Sequence, residues 1–449
     1  MNNKNRDYKV LAEELVRKCL KKGADAAEVY IEAGKNLNVE VRNGEVETVQ
    51  EASSRGVGFR ILRSGKMAFS SCNEFTEEAL EATLSGAIEF AQSMTPDAHN
   101  ELPEDEGTTS VDGLFDPMIG QVSMEKKIEM VKSAEDLAMK DPRITKSAGA
   151  IYNEYEGRTF IANSNGISTS TQSSVCAFGV SVVAERGEQK SSGSEYCTRR
   201  FYADLEPVEK IAEKAARNAY EMLDPQMVDT QKAAVIFDPD VAFAILGGIL
   251  GAIDGERVLQ GASFLRESLD KQIASELVTI IDDGTLPKGL GSRPFDGEGV
   301  PTQRRVIVSE GILKSFLYNT IVANRAGVQS TGNASRDGYT GLPGIGPHNF
   351  YMAAGKSTPE EIIKTTKKGL YLKGVTGYGI NPVTGDFSGG ASGFWIENGK
   401  IAFPVKGLTI AGTAHEMFNG IDMVGADLDL NRSFTTPTFR IPIMQIGGK

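Results

Sequence analysis

The sequence predicts an α+β protein with two domains. The N-terminal domain is a pair of helix–antiparallel meander–helix units; the C-terminal domain is a mostly antiparallel or mixed β-sheet with a few helices. Three observations predict this. The order of apolar periodicities over residues 8–94 recurs over residues 124–224. The turn glycines are matched in spacing: from Gly44 to Gly65 is 65 − 44 = 21 residues, and from Gly166 to Gly187 is 187 − 166 = 21. Beyond residues 223–231 the style changes to Gly-rich loops and short hairpins, which divides the chain at 1–226 and 227–449.

The first unit opens with a helix over residues 10–22, whose Leu11, Leu15, Val16 and Cys19 recur on one face. Strands follow at 27–32, 37–42, 45–51, 56–62 and 66–71, with turns at Asn43-Gly44 and Ser64-Gly65, and a helix over 76–93 closes the unit. Asn-Gly between alternating strands signals a tight hairpin, because both turn positions need positive φ. The second unit has a helix over 124–139, strands at 148–154, 158–163, 167–172, 177–184 and 188–194, and a helix over 207–223. Its turns fall at Asn165-Gly166 and Arg186-Gly187. Residues 95–117, rich in Pro, Asp, Glu and Gly, read as a loop between the units.

In the C-terminal half a strand at 233–237 leads to a helix over 239–253. A second helix runs over 359–368, with Thr358 as N-cap, Pro359 at the first position and Glu361 completing a capping box. A short helix is expected near 413–420, and turns at residues 309–311 and at Asn398-Gly399.

Composition limits the function. The net charge is −12, and the densest basic run, KTTKKG at 364–369, falls at a helix end where it complements the dipole. Direct nucleic-acid binding is therefore not expected. No run approaches the roughly 20 apolar residues of a membrane span. The longest, near 241–253, is broken by Gly247, Gly248 and Gly251. A polar start without an apolar segment behind it predicts no signal peptide, hence a cytoplasmic protein with no membrane partner. Cys19, Cys72, Cys176 and Cys197 are widely spaced and are expected as reduced thiols.

Four strings suggest chemistry and fail on inspection. Gly355-Lys356-Ser357-Thr358 resembles the end of a phosphate-binding loop, but Phe350 stands where its first glycine belongs. Gly344-Ile345-Gly346 lacks the third glycine of a dinucleotide fingerprint, with Asn349 in its place. Ser388 and Ser392 lie in GDFSGGASGF, yet Asp386 precedes the first by two residues and Phe394 follows the second by two, so neither is a nucleophile elbow. His415-Glu416 continues Met417-Phe418-Asn419, without the second histidine of a zinc helix.

Longer strings are more specific. VRNGEVETVQ (41–50), RGVGFRIL (55–62), LPKGLGSRPFDGEGVPTQRRVIVSEGILKSFLYN (286–319), STGNASR (330–336), VTGDFSGGASGFWIENGKI (383–401) and PVKGLTIAG (404–412) resemble the TldD/PmbA peptidase family, on its PmbA/TldE branch. The resemblance implies a peptidase system acting on unfolded peptides, first described through modulation of DNA gyrase. It implies a zinc-carrying TldD-like partner with HExxxH and a later cysteine. It implies no cofactor in this chain, whose corresponding helix within 241–261 contains no histidine. No catalytic residue carries over, so the chain alone is expected to be inactive, to dimerise with itself when alone, and to act with the partner. Two alternatives stay open: a stand-alone peptide-binding or regulatory protein, and a peptidase with a non-zinc mechanism. A peptide is expected to add as a strand to an exposed edge near Thr331, Asn333 and Arg336, and near Asp386, Ser388, Gly389 and Ser392.

Overall fold

The computed structural model describes residues 7–377 and 379–449. Helix α1 (Tyr8–Lys21) starts where the Asp7 carboxylate accepts from the backbone N–H groups of Lys9 and Val10. It leads into strands β1 (Ala26–Arg42), β2 (Glu45–Arg63) and β3 (Lys66–Cys72) and helix α2 (Glu77–Ala91). The order then repeats as α3 (Met124–Met139), β4 (Ile144–Asn163), β5 (Ser168–Arg186), β6 (Gln189–Arg199) and α4 (Val208–Tyr220). The six strands form one antiparallel sheet in the order β3-β2-β1-β4-β5-β6, so β1 and β4 join the two meanders at the centre.

The strands are fewer and longer than the sequence pattern suggests. Residues 27–32 and 37–42 are a single strand, β1, and three further pairs of expected strands merge into β2, β4 and β5. The alternation lapses in mid-strand because β1 serves two cores. Ala27, Val29 and Ile31 pack with α1 and α2, whereas Leu37, Val39 and Val41 pack with α3 and α4. Between the two halves, Gly34 stands opposite Gly157. A β-carbon at Gly34 would lie 2.8 Å from the Tyr155 ring, so the strand passes there only without a side chain.

The matched spacing of the turns does not make them alike. Asn43-Gly44 and Ser64-Gly65 have positive φ at both positions, as two-residue hairpins of this twist require. In the second unit only the glycines do. There the Asn163 side chain accepts from the N–H groups of Asn165 and Ile167 and closes the loop instead.

The linker over residues 95–117 is held on both sides. Asn163 and Asn165 donate to the carbonyls of Pro103 and Leu102, Arg325 pairs with Asp97 at 2.7 Å, and the Thr109 hydroxyl donates to Thr302 O at 2.6 Å.

The C-terminal half contains, in order, β7 (Gln231–Phe237), α5 (Ala242–Ala252), α6 (Gly255–Leu259), β8 (Ile280–Asp283), β9 (Arg304–Ser309), β10 (Ile312–Leu313), α7 (Thr320–Ala326), β11 (Ala334–Ser335), β12 (Gly344–Ile345), β13 (Asn349–Met352), α8 (Pro359–Lys364), β14 (Lys368–Thr376), β15 (Asp386–Glu397), β16 (Lys400–Thr413), α9 (Ala414–Asn419), β17 (Met423–Val424), β18 (Phe434–Thr435) and β19 (Phe439–Gly447). Strands β16-β15-β14-β7-β19 pair in that order, and β16 pairs again with β19, closing a small barrel. Only the β7–β14 pair in it is parallel. A second sheet runs β10-β9-β8-β13-β18. One core joins them. Trp395 and the stacked Phe237 and Phe439 rings, 4.6 Å apart, fill the barrel, and Ile245, Leu246 and Ile249 of α5 pack alongside.

Helix α8 has the expected Thr358–Glu361 capping box but stops at Lys364. The Thr365 and Thr366 hydroxyls fold back onto the carbonyls of Glu361 and Ile362, and Lys368 already opens β14. Among the described residues no helix is long and apolar enough to cross a membrane.

Candidate functional site

Helix α5 is the place where the family resemblance would put zinc ligands. Its inner face is Ile245, Leu246, Ile249 and Ala252, all buried. Its outer face offers Phe243, which is 75% exposed, and glycines. Gly248 is pressed so close to Ile380 that a β-carbon would approach it to 2.4 Å. Hydrocarbon and bare backbone cannot coordinate zinc, which takes sulfur, imidazole or carboxylate ligands. Elsewhere, His348 is buried with its Nδ1 3.0 Å from Asp282 Oδ2, and His415 lies exposed on α9. The cysteines all lie in the N-terminal half; burial pushes the Cys19 and Cys176 thiols up to about 12, so both stay protonated. Among the described residues, no three His, Cys, Asp or Glu side chains converge as a metal set. The residues present do not fit a bound zinc ion.

The residues singled out for peptide contact fall into two separate places. Thr331 is buried; its hydroxyl accepts from Tyr318 N at 2.8 Å and donates to Tyr318 O at 3.0 Å. Asn333 is also buried and donates to Asp282 at 2.7 Å and to Gly346 O at 3.0 Å. Arg336 donates to Gly297 O and Gly341 O, pairs with Glu28, and lies 4.8 Å over the Tyr30 ring. All three polar groups are thus spent within the protein. Asp386, Ser388, Gly389 and Ser392 lie on β15, with Asp386 and Ser388 exposed and Gly389 buried. From Gly390 onward that strand lies between β14 and β16; residues 386–389 pair with β16, and Phe387 alone also bridges to Ile380. Ser392 thus has a partner strand on both sides, whereas Asp386, Ser388 and Gly389 have one on the β16 side.

What sequence reasoning missed is a buried ionic cluster between the halves. Glu28 and Arg60 face each other across β1 and β2. Arg60 bridges Glu28 at 2.5 Å and Glu298 at 2.6 Å, with all three side chains at most 1% exposed. Glu298 also accepts from Thr320 N at 2.8 Å, and Arg336 pairs with Glu28 from the other side. Nearby, Asp296 accepts from the backbone N–H groups of Glu298, Val300 and Ala334. Burial and the adjacent Glu298 charge raise its pKa, against the pull of those three donors. The signal was present in the sequence, in the form of single charges inside otherwise apolar strand runs: Glu28 between Ala27 and Val29, Arg60 between Phe59 and Ile61. The partners were not legible, since Arg60 and Glu298 are 238 residues apart.

A cleft of about 940 Å³ opens beside this cluster, between the ends of β1 and β2, the pinned linker and the start of β9. That volume lies toward the upper end for ligand pockets. Leu62, Leu102, Pro103, Val300 and Pro301 give it apolar walls; Glu101, Glu104 and Glu106 lie along the linker side; Gln303 and Arg305 face it from the C-terminal half.

Three family models cover nearly all of the chain: the PmbA/TldA metallopeptidase domain 1 over residues 27–91, the central domain over 118–223 and the C-terminal domain over 230–448. An α+β chain of this wiring and these matches defines a class of protein, and the chain belongs to the PmbA/TldD metallopeptidase family. Within it, the chain is similar to the metalloprotease PmbA of Escherichia coli, with 33% identity over 95% of this chain and 93% of that protein. The PmbA homologue of Haemophilus influenzae is 30% identical over 95% of this chain and 93% of its own length. Among solved structures, a candidate modulator of DNA gyrase from Bacteroides thetaiotaomicron superposes with a TM-score of 0.91 at 28% identity, covering 99% of this chain and 100% of that one. TldE from Thermococcus kodakarensis has the same fold, with a TM-score of 0.88 at 24% identity over 97% of this chain and 99% of that one.

Proposed function

We propose that this chain is the zinc-free subunit of a two-chain metallopeptidase that acts on unstructured peptides, with a TldD-like partner supplying the zinc. The observation that carries this reading is α5, where Phe243, glycines and buried aliphatic residues stand in place of ligands. A family whose members are named metalloproteases then divides its labour: one chain holds the metal and its bound water, and this one helps hold the peptide. Because both branches share a fold, like and unlike chains can associate through related surfaces, so a homodimer forms when no partner is present. The link of relatives to DNA gyrase is read as indirect, through peptide processing, because a chain of net charge −12 gains nothing from phosphate contacts. A cytoplasmic location fits such a role.

Mixing the purified chain with a TldD-like protein and assaying an unstructured peptide tests this. Cleavage should require both chains and should vanish when the partner's zinc ligands are mutated, and the pair should co-elute in gel filtration. Robust cleavage by this chain alone after stringent metal removal would overturn the reading.

A further inference from the structure

Arg305, on β9, carries a guanidinium without a counter-ion. Its Nε is shut off from solvent and has no hydrogen-bond partner. Among the described residues it makes no ion pair. The carboxylate directly across the sheet, Asp282, is already engaged by His348 and Asn333. Its sequence neighbour Arg304, by contrast, reaches Asp283 at 3.7 Å. The side chain is half-buried, and removing its Nε from water without a partner costs free energy that nothing inside the chain returns, while the rest of the guanidinium remains open to the cleft. Burial accordingly lowers its pKa, with Asp282 only a partial offset. Arg305 lines the 940 Å³ cleft, so what would complete it must come from outside.

The surroundings narrow the ligand. A planar guanidinium matches a carboxylate with two parallel hydrogen bonds. Asp25, Glu101, Glu104 and Glu106 also line the cleft, and a polyanion such as a nucleic acid or a polyphosphate would meet four carboxylates for one arginine. A zwitterion meets the opposite situation: its anionic end faces Arg305 and its cationic end faces the acidic linker. Leu62, Leu102, Val300 and Pro301 add apolar wall to the same cleft. We propose that this cleft binds short peptides with a free C-terminal carboxylate, which Arg305 takes directly. The cleft belongs wholly to this chain, so the inference does not require the catalytic partner, and it stands or falls independently of the pairing proposed above.

The test is capture by the full chain alone. An equimolar pool of tetrapeptides as free acids, and the same pool as C-terminal amides, is equilibrated with the protein, ultrafiltered, and quantified by mass spectrometry. The free acids should bind about tenfold tighter than the amides or better. Arg305→Gln should abolish that preference. Gln303→Glu, a change at an exposed position in the same cleft, should weaken acid capture by offering the guanidinium an internal carboxylate, and it keeps the test decisive if Arg305→Gln does not fold. Equal retention of acids and amides by the unmodified chain, retention of neither, or an unchanged preference in a folded Arg305→Gln protein would each overturn the assignment.

Discussion

Arg60 and Glu298 meet at 2.6 Å with both side chains fully buried, one on the N-terminal sheet and the other in the C-terminal half. The same arginine holds Glu28 at 2.5 Å, so a single guanidinium compensates a carboxylate from each half. Removing one member leaves an uncompensated buried charge. Arg60→Gln is expected to destabilise the chain by about 3–5 kcal/mol. Replacing Arg60, Glu28 and Glu298 together with apolar residues should cost less than this single change. Chemical denaturation of the two variants measures the difference, and a near-neutral Arg60→Gln would contradict the role given to the pair.

Asp296 adds a pH dependence with a defined sign. Its pKa is raised from 3.8 to about 7 by burial and by the Glu298 charge. Between those values the folded state binds the proton that the unfolded state has released, so stability falls as pH rises through the window and levels off above it. The denaturation midpoint should therefore be higher at pH 5 than the Asp296→Asn variant's own pH trend predicts, and the excess should be gone by pH 8. Parallel trends for the two proteins across that range would refute it.

The division of β1 between two cores predicts where damage travels. Leu37 lies in the stretch matched by the first family domain, yet it packs with α3 and α4. Leu37→Ala is expected to cost about 2–5 kcal/mol. Hydrogen exchange should quicken in Met124–Met139 and Val208–Tyr220 before it does in Tyr8–Lys21. Loss of protection confined to α1 and α2 would show that the packing had been misassigned.

Two glycines separate close approach from mere flexibility. A β-carbon at Gly393 would lie 2.0 Å from Tyr371 O inside the barrel, whereas Gly86, exposed on α2, has nothing within 4 Å. Gly393→Ala should destabilise by about 1–3 kcal/mol or more, as overpacking does. Gly86→Ala should stabilise by roughly 0.5–1 kcal/mol through helix propensity. Thermal melts of the two variants should move in opposite directions.

Metal removal should leave the isolated chain unchanged. Elemental mass spectrometry is expected to find well under one zinc per chain, and a chelator should not shift the melting temperature. One tightly held zinc per chain would revive a stand-alone metalloenzyme.

Local chemistry made much of the architecture legible in the sequence. The helix over residues 124–139 is legible from the sequence pattern, and in the structure the Ser123 hydroxyl caps it by accepting from Lys126 N. The Asn43-Gly44 and Ser64-Gly65 hairpins follow from the backbone their residues allow, and the Thr358–Glu361 box from two side chains within one turn. The lack of zinc ligands on α5 is likewise a matter of composition, visible without coordinates. What only the tertiary structure decided depends on residues distant in sequence. The lapse in alternation near Gly34 looks like a strand break because a sequence pattern records burial on one face and not the handover of a strand from one core to another. The β16–β19 pairing closes the barrel and occupies the edges that those two strands would otherwise present. The pairing of Arg60 with Glu298 and the isolation of Arg305 are of the same kind: whether a buried charge is compensated depends on what folds against it, and that is fixed by topology.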